Sequence, residues 1–284
     1  MIDLSELRRV LVREFRDGEL CVRESAGRPL PRTQEPEVTA LFAFEVDRRL
    51  EQASNAGSIA SAVQADLERA FRQRGVAAPN RLVQVTNGLI ARVLRHSPVE
   101  EAQAGGDFGL LVVEPLFIFR WGHHLDLRRG GRKRGMLVQA KRCLYGGRWN
   151  RLTPTQQERL PGRMAYAALL RYEFEDVSNA QLKEFRWNLL AHTDISEVTE
   201  WLRSGDFPVS VGTGALVAGL SIGSHGTDDP QLIERDICAE ASSFLVVEVD
   251  WREGEDPGPA LSYLNLESVG KQTQREEVRI RLGH

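Results

Sequence analysis

Phe108 to Phe119 reads FGLLVVEPLFIF, and Met136 to Ala140 reads MLVQA. Both are short apolar runs rich in β-branched and aromatic residues, the kind that pack well on a pleated surface, and both are expected as buried strands. Between them RWGHHLDLRRGGRKRG, residues 120–135, carries the glycines and charges of a hairpin connection that projects into solvent. Pro115 has no N–H for a ladder, so the first strand is expected to bend or to lie at an edge there. If 107–141 folds as an antiparallel hairpin, Asp107 at the start of one strand lies beside Gln139 and Lys141 at the end of the other. Gln139 and Lys141 stand two apart, so both project from the same face.

Outward from this pair, the pattern is helical on the N-terminal side. LSELRRVLVREF is a short amphipathic pattern followed by a polar stretch that Gly27, Pro29 and Pro31 mark as a loop. From Glu35 to Arg74 apolar residues at helical spacing (Val38, Leu41, Phe42, Val46, Leu50, then Ile59, Val63, Leu67, Phe71) predict two helices broken at Gly57. A third helical run is expected from about Arg81 to Arg95, ending at Ser97-Pro98. On the C-terminal side Thr153-Pro154-Thr155 reads as a helix start, and YAALLRYEF suits either the end of that helix or a further strand. AQLKEFRWNLLAH and ISEVTEWLRSG have helical patterns, and SSFLVVEVDW closes as an apolar strand before a charged tail. The order predicts an α/β protein, with a mainly helical extension over 1–80 and a second domain over 81–284.

Composition narrows the classes. A chain of 284 residues with 42% apolar content can bury a real core. No stretch approaches the ~20 apolar residues of a membrane span, and MIDLSELRRV lacks a signal-peptide h-region, so a cytoplasmic protein without membrane contact is expected. Cys21, Cys143 and Cys238 stand far apart, which excludes a cysteine zinc cage built from sequence neighbours and suits buried free thiols. The net charge of −3 is unevenly spread. Arg120 to Arg151 holds ten basic residues against one acid, Asp126. Such a concentration is the electrostatic footprint of phosphate-backbone contact, although a solvated loop would look the same.

A carboxylate, an amide oxygen and an ammonium gathered on one strand face suit phosphodiester hydrolysis. Mg²⁺ prefers hard oxygen ligands, polarises the scissile phosphate and activates water, while a lysine neutralises developing charge. The chain has four lysines, Lys133, Lys141, Lys183 and Lys271, against thirty-three arginines, so a lysine at this strand position stands out.

These residues resemble a known family. Glu101-Ala-Gln-Ala-Gly-Gly-Asp107-Phe-Gly-Leu, followed by Leu137-Val-Gln139-Ala-Lys141-Arg142, is similar to PD-(D/E)XK nucleases, above all to Mrr-like restriction endonucleases that use QxK. The resemblance covers about 45 residues of the chain. It implies a restriction-endonuclease-like core, a mixed central sheet flanked by helices. It further implies a Mg²⁺-dependent DNA endonuclease, with Mn²⁺ as a substitute ion, working in restriction or antiviral defence. The metal ligands it implies are Asp107, Gln139, the backbone carbonyl of Ala140, and an upstream glutamate, for which Glu101 is preferred to Glu100 and Glu45. Lys141 completes the catalytic set. The proline of the family name is absent, Gly106 standing in its place. Phosphate-gripping residues would come from Arg129, Arg132, Lys133, Arg134, Arg142, Arg148 and Arg151, with Gln156 or Gln157 reaching the site or the DNA. A partner protein or signal controlling activity fits the family's occupations, and cutting both strands often calls for a homodimer.

Rival readings remain. The same basic segment would serve a catalytically inactive nucleic-acid-binding or assembly module, or an RNA-cleaving enzyme. In the bland reading Asp107 caps a turn and Lys141 is paired at the surface. His123-His124 with Asp126 lacks a third neighbour for a metal and suits a loop tip that contacts nucleic acid. Gly212-Thr-Gly214 lacks the acidic residue of a dinucleotide site and reads as a buried glycine-rich segment. Tyr145 and Trp149, interleaved with arginines, suit either base stacking or packing at the core edge.

Overall fold

A computed structural model describes residues 2–25, 35–75, 77–78, 82–96, 106–120, 124–144, 148–174, 182–241, 243–252 and 279–280. Helices α1 (Ser5–Ser25), α2 (Glu35–Asn55), α3 (Ser58–Arg72) and α4 (Leu82–Asn87) precede strands β1 (Leu89–His96), β2 (Phe108–Arg120), β3 (His124–Leu144) and β4 (Arg148–Trp149). After them come α5 (Pro154–Arg159), a 3-10 turn (Pro161–Tyr166), β5 (Ala167–Phe174), β6 (Leu182–Leu189), α6 (Ile195–Ser204) and α7 (Thr213–Ile222). A helical turn (Pro230–Leu232) runs into a π-helical turn (Ile233–Cys238) before β7 (Phe244–Trp251) and the short β8 (Arg279–Ile280).

The strands form one mixed sheet in the order β6-β5-β3-β2-β7-β1-β8, with β4 added to β3. The central pair β2 and β3 is antiparallel, and each has a parallel outer partner, β7 and β5 respectively. Alternate residues of the central strands enter two cores. Leu110, Val112, Val138 and Ala140 pack with Leu7, Leu11, Phe42, Val46, Leu67 and Leu216 of α1, α2, α3 and α7. Leu111, Val113 and Leu137 pack with Met164, Val198, Leu202, Ile233 and Ile237 on the other side. Burial on both faces is why these strands read as unbroken apolar runs instead of alternating ones. The protein is therefore α/β, and the N-terminal helices share a hydrophobic core with the sheet.

Three sequence expectations need correction. The helix expected over 81–95 ends at Asn87, and Leu89 to His96 instead pairs with β7. Leu89, Ala91 and Val93 face one core while Leu94 packs against the other, so apolar residues fall on both faces and period 2 cannot be told from 3.6. The helix expected in AQLKEFRWNLLAH is strand β6. Its ladder with β5 shifts by one residue, from Glu173↔Glu184 to Phe174↔Leu182, which leaves Lys183 as a bulge. That extra residue puts Leu182 three positions from Phe185 on the buried side and imitates a helical spacing. Lastly, the expected connection over 120–135 is mostly strand, because β3 begins at His124. At Pro115 the β2–β3 register shifts, and β2 has already passed the last β7 pair, Val113↔Glu248. Its missing N–H costs nothing to that ladder.

Side chains of α2 and α3 satisfy backbone groups of neighbouring elements. Ser54 Oγ and Asp47 Oδ1 of α2 accept the backbone N–H groups of Ala91 and Val93 at 2.9 and 2.7 Å, which satisfies β1 between its strand partners. Asp66 of α3, buried, accepts from the N–H groups of Glu6 and Leu7 and from Ser5 Oγ, capping α1 from a different helix. Among the described residues no helix is long and apolar enough to cross a membrane.

Candidate active site

Because Phe108 pairs with Val138, the register carried one step back sets Asp107 opposite Gln139. The backbone agrees: Asp107 N–H donates to Val138 O at 2.9 Å, and Ser243 Oγ donates to Asp107 O at 3.3 Å. Gly106 makes the entry into β2 possible. A Cβ on it would lie 2.6 Å from Leu137 Cδ1 and 2.8 Å from Cγ, and its N–H donates to Glu240 O at 3.0 Å. A proline here would meet Leu137 and lose that bond, which accounts for glycine at this position.

The Asp107 carboxylate is held by the strand opposite. Ala140 N–H donates to Oδ2 at 2.5 Å, and Gln139 Nε2 donates to the same oxygen. Gln139 Nε2 also reaches Ala140 O at 3.3 Å. The amide group thus sits between Asp107 Oδ2 and the Ala140 carbonyl, while Gln139 Oε1 is buried with no hydrogen-bond partner. Gln139 is fully buried, so an unpaired carbonyl there carries a desolvation cost. Turning the amide about its last bond would exchange the two ends and aim Oε1 at the gap between the other oxygens.

On the remaining side is α5. Thr153 opens it with a capping box, its Oγ1 accepting from Gln156 N while Gln156 Oε1 accepts from Thr153 N at 2.9 Å. Locked this way, Gln156 turns Nε2 toward Asp107 Oδ1 at 3.5 Å. Gln157 instead donates to Leu152 O.

Lys141 projects from the same face as Gln139 and is 4% exposed, yet no carboxylate among the described residues pairs with it. Its Nζ is not among the buried polar atoms left without a partner, so the small exposed remainder is the charged tip. Neither feature matches a surface-paired lysine, and the Asp107 carboxylate is engaged with β3.

The other sequence candidates separate. Glu100, Glu101, His123 and Tyr145 lie outside the described residues, as does the side chain of Arg129. Glu45 is on α2 and pairs with Arg48. Arg132, Arg134 and Arg142 point to the face opposite Lys141; Arg134 donates to Leu220 O and Ser221 O at the end of α7, and Arg132 lies 3.8 Å from the buried Glu114. Lys133 shares the face of Lys141 but stands eight residues back along β3, roughly 26 Å at 3.3 Å per residue, and burial lowers its pKa. Arg148 and Arg151 are exposed beside β4. Trp149 packs edge-on against Phe207, at the rim of the core.

Sequence reasoning missed Arg171 and Asn188, which share the Lys141 face on β5 and β6. A charged residue inside the run ALLRYEF was the available signal. It also missed Glu240, which receives Arg159 and Arg163 at 3.2 and 2.9 Å next to Gly106. The cysteines are free; burial and nearby Glu234 push the Cys238 thiol up to about 12, which makes it a poor nucleophile.

For a hard divalent ion the donor set fits: one carboxylate, a backbone carbonyl and an amide oxygen that has no other partner. No group of three or more His, Cys, Asp or Glu side chains suited to a metal occurs among the described residues, so waters and substrate oxygens would complete any coordination shell. Comparison with protein-family models, with curated proteins and with solved structures finds no match to this chain.

Proposed function

We propose that the protein is a metal-dependent endonuclease of the PD-(D/E)XK kind with a restriction-endonuclease-like core, hydrolysing DNA phosphodiester bonds in a defence setting. The observation that carries this reading is the Gln139 amide lodged between Asp107 Oδ2 and Ala140 O, beside a buried Lys141, with neither the Gln139 Oε1 nor the Lys141 ammonium partnered among the described residues. Asp107, Gln139 and the Ala140 carbonyl would hold Mg²⁺ or Mn²⁺, which when bound polarises a phosphate and lowers the pKa of water. The chain's own residues do the rest. Ala140 N–H and Gln156 fix the Asp107 carboxylate, so its orientation is set before substrate arrives. Lys141 offers a compact positive charge to the phosphate oxygens and, with its stem sealed in the core, can move little.

The test is supercoiled plasmid incubated with wild-type protein in Mg²⁺, in EDTA, and with Lys141→Ala. Nicking that needs the metal and is lost in the variant is the expected result. Absence of metal-dependent cleavage of both DNA and RNA would overturn the enzyme reading and leave an inactive binding module; cleavage of RNA alone would keep the site and change the substrate.

A further inference from the structure

The parallel ladder between β3 and β5 makes Lys141 and Arg171 direct partners, just as it pairs Gln139 with Leu169. Neighbouring strands lie about 4.8 Å apart, so two cationic side chains start side by side on the face that carries Asp107. Arg171 is 6% exposed, a depth at which arginine is almost always fully paired. Here the pairing is incomplete. Nε donates to Asn188 Oδ1 at 2.9 Å and Nη1 lies 2.7 Å from Glu173 Oε1, while the guanidinium rests 3.9 Å from the centre of the Phe207 ring. Asn188, 1% exposed, is itself anchored through Nδ2 to Pro208 O at 3.1 Å. Nη2 donates to none of the described residues, and it is not among the buried atoms without a partner. The exposed part of Arg171 is therefore an N–H pair on a plane that Asn188, Glu173 and Phe207 hold fixed. Burial lowers its pKa without removing the charge, so a ligand that brings negative charge to Nη2 would be favoured by a charge-assisted hydrogen bond.

We propose that Arg171 is a second phosphate-binding cation of the Lys141 site, its Nη2 gripping a backbone phosphate next to the one presented to Lys141. The nature of the ligand rests on the nuclease reading above; the preorganised cation does not. A purely structural Arg171, closing the ends of β5 and β6, would leave nucleic-acid affinity unchanged wherever the fold survives.

The experiment measures binding of a labelled DNA duplex, and of the matching RNA, to the full chain with Ca²⁺ in place of Mg²⁺ to suppress cleavage, over a series of salt concentrations. Wild type, Arg171→Met and Arg171→Lys are compared, with circular dichroism melts to show that each is folded. Arg171→Met is expected to weaken binding at least about tenfold and to make the log-affinity against log-salt slope shallower by about 0.9, one phosphate contact. Arg171→Lys keeps the charge and the slope but loses the fixed plane, and should also bind more weakly. Unchanged binding by folded Arg171→Met, or weaker binding with the wild-type slope, overturns the proposal. If Arg171→Met does not fold, Arg171→Lys decides: wild-type affinity overturns the assignment, and lower affinity in a folded protein supports it. Wild-type protein that binds neither nucleic acid also overturns it. Plasmid nicking by the same samples separates the two ideas. Wild type that binds in an Arg171-dependent way but never nicks removes the nuclease and keeps the phosphate grip. Nicking with Arg171 variants that bind like wild type does the reverse.

Discussion

Gln139→Glu turns the amide at the centre of the site into the carboxylate that the D/E form of the motif carries, and the consequence for stability follows from the geometry. In the wild type Nε2 donates to Asp107 Oδ2 and Gln139 is fully buried. The substitution deletes that donor, at about 1 kcal/mol, and sets two carboxylates in hydrogen-bond reach. At ~3 Å, two unit charges repel by about 1.4 kcal/mol at the dielectric of water and about 5.5 kcal/mol at an effective value of 20. A net loss of about 2–5 kcal/mol, or about 5–15 °C in Tm for a chain of this size, is expected in EDTA at pH 8. Lowering the pH should recover part of it, because mutual repulsion raises one of the two pKa values and the proton then neutralises the pair. A divalent ion should recover more. At 100 times its Kd a ligand adds about 2.7 kcal/mol, and the variant offers a stronger site than wild type. The assay is a set of melts of both proteins in EDTA and in Mg²⁺ or Mn²⁺. A variant that melts like wild type in EDTA, or that gains no more from metal than wild type does, would refute the geometry assigned to these three oxygens.

Other predictions are smaller in scope. Gly106→Ala pushes a Cβ to 2.6 Å from Leu137 Cδ1 and should lower stability by about 1–3 kcal/mol in denaturant titrations; adding Leu137→Ala should make the double variant less damaged than the sum of the two. Asp66→Ala strips the cap from α1 and should cost about 2 kcal/mol, whereas Asp66→Asn keeps an acceptor and should cost less. Burial raises the pKa of Glu114, so the fold holds its proton more tightly than the unfolded chain does. Stability should then fall as pH rises from the ordinary glutamate range through the higher folded value, and Glu114→Gln should flatten that fall in melts recorded across pH. Asp236 runs the other way. Arg235 and the Tyr166 hydroxyl hold its pKa down to about 2, so its contribution is present above the usual aspartate value of 3.8 and lost as pH falls toward 2. Tyr166→Phe should shrink that acid-side loss.

The site was more legible in the sequence than the sheet around it. Strand alternation puts Gln139 and Lys141 on one face whatever else happens, whereas the place of Asp107 depended on the two apolar runs pairing as an antiparallel hairpin, and the β2–β3 register brings it across from Gln139. The helix start at Thr153 is equally local, and it carries Gln156 to the carboxylate. What failed were segments whose identity is decided elsewhere. Leu89 to His96 becomes a strand because β7 is there to pair with it, and β6 hides its period behind the bulge at Lys183. Arg171 was invisible as a site residue because its link to Lys141 is a ladder between chain segments thirty residues apart in number. The basic segment, read as one wall, divides once β3 is a strand, since alternate arginines must leave by opposite faces.

Diffraction from crystals grown with Mn²⁺, recorded at the manganese edge, tests the claim that Asp107, Gln139 and Ala140 share one ion. The account predicts a single anomalous peak against the Asp107 carboxylate and the Ala140 carbonyl, with the Gln139 amide turned so that Oε1 faces the metal. No peak at millimolar Mn²⁺, a peak elsewhere on the chain, or Gln139 Nε2 still directed at Asp107 beside a bound ion would contradict it.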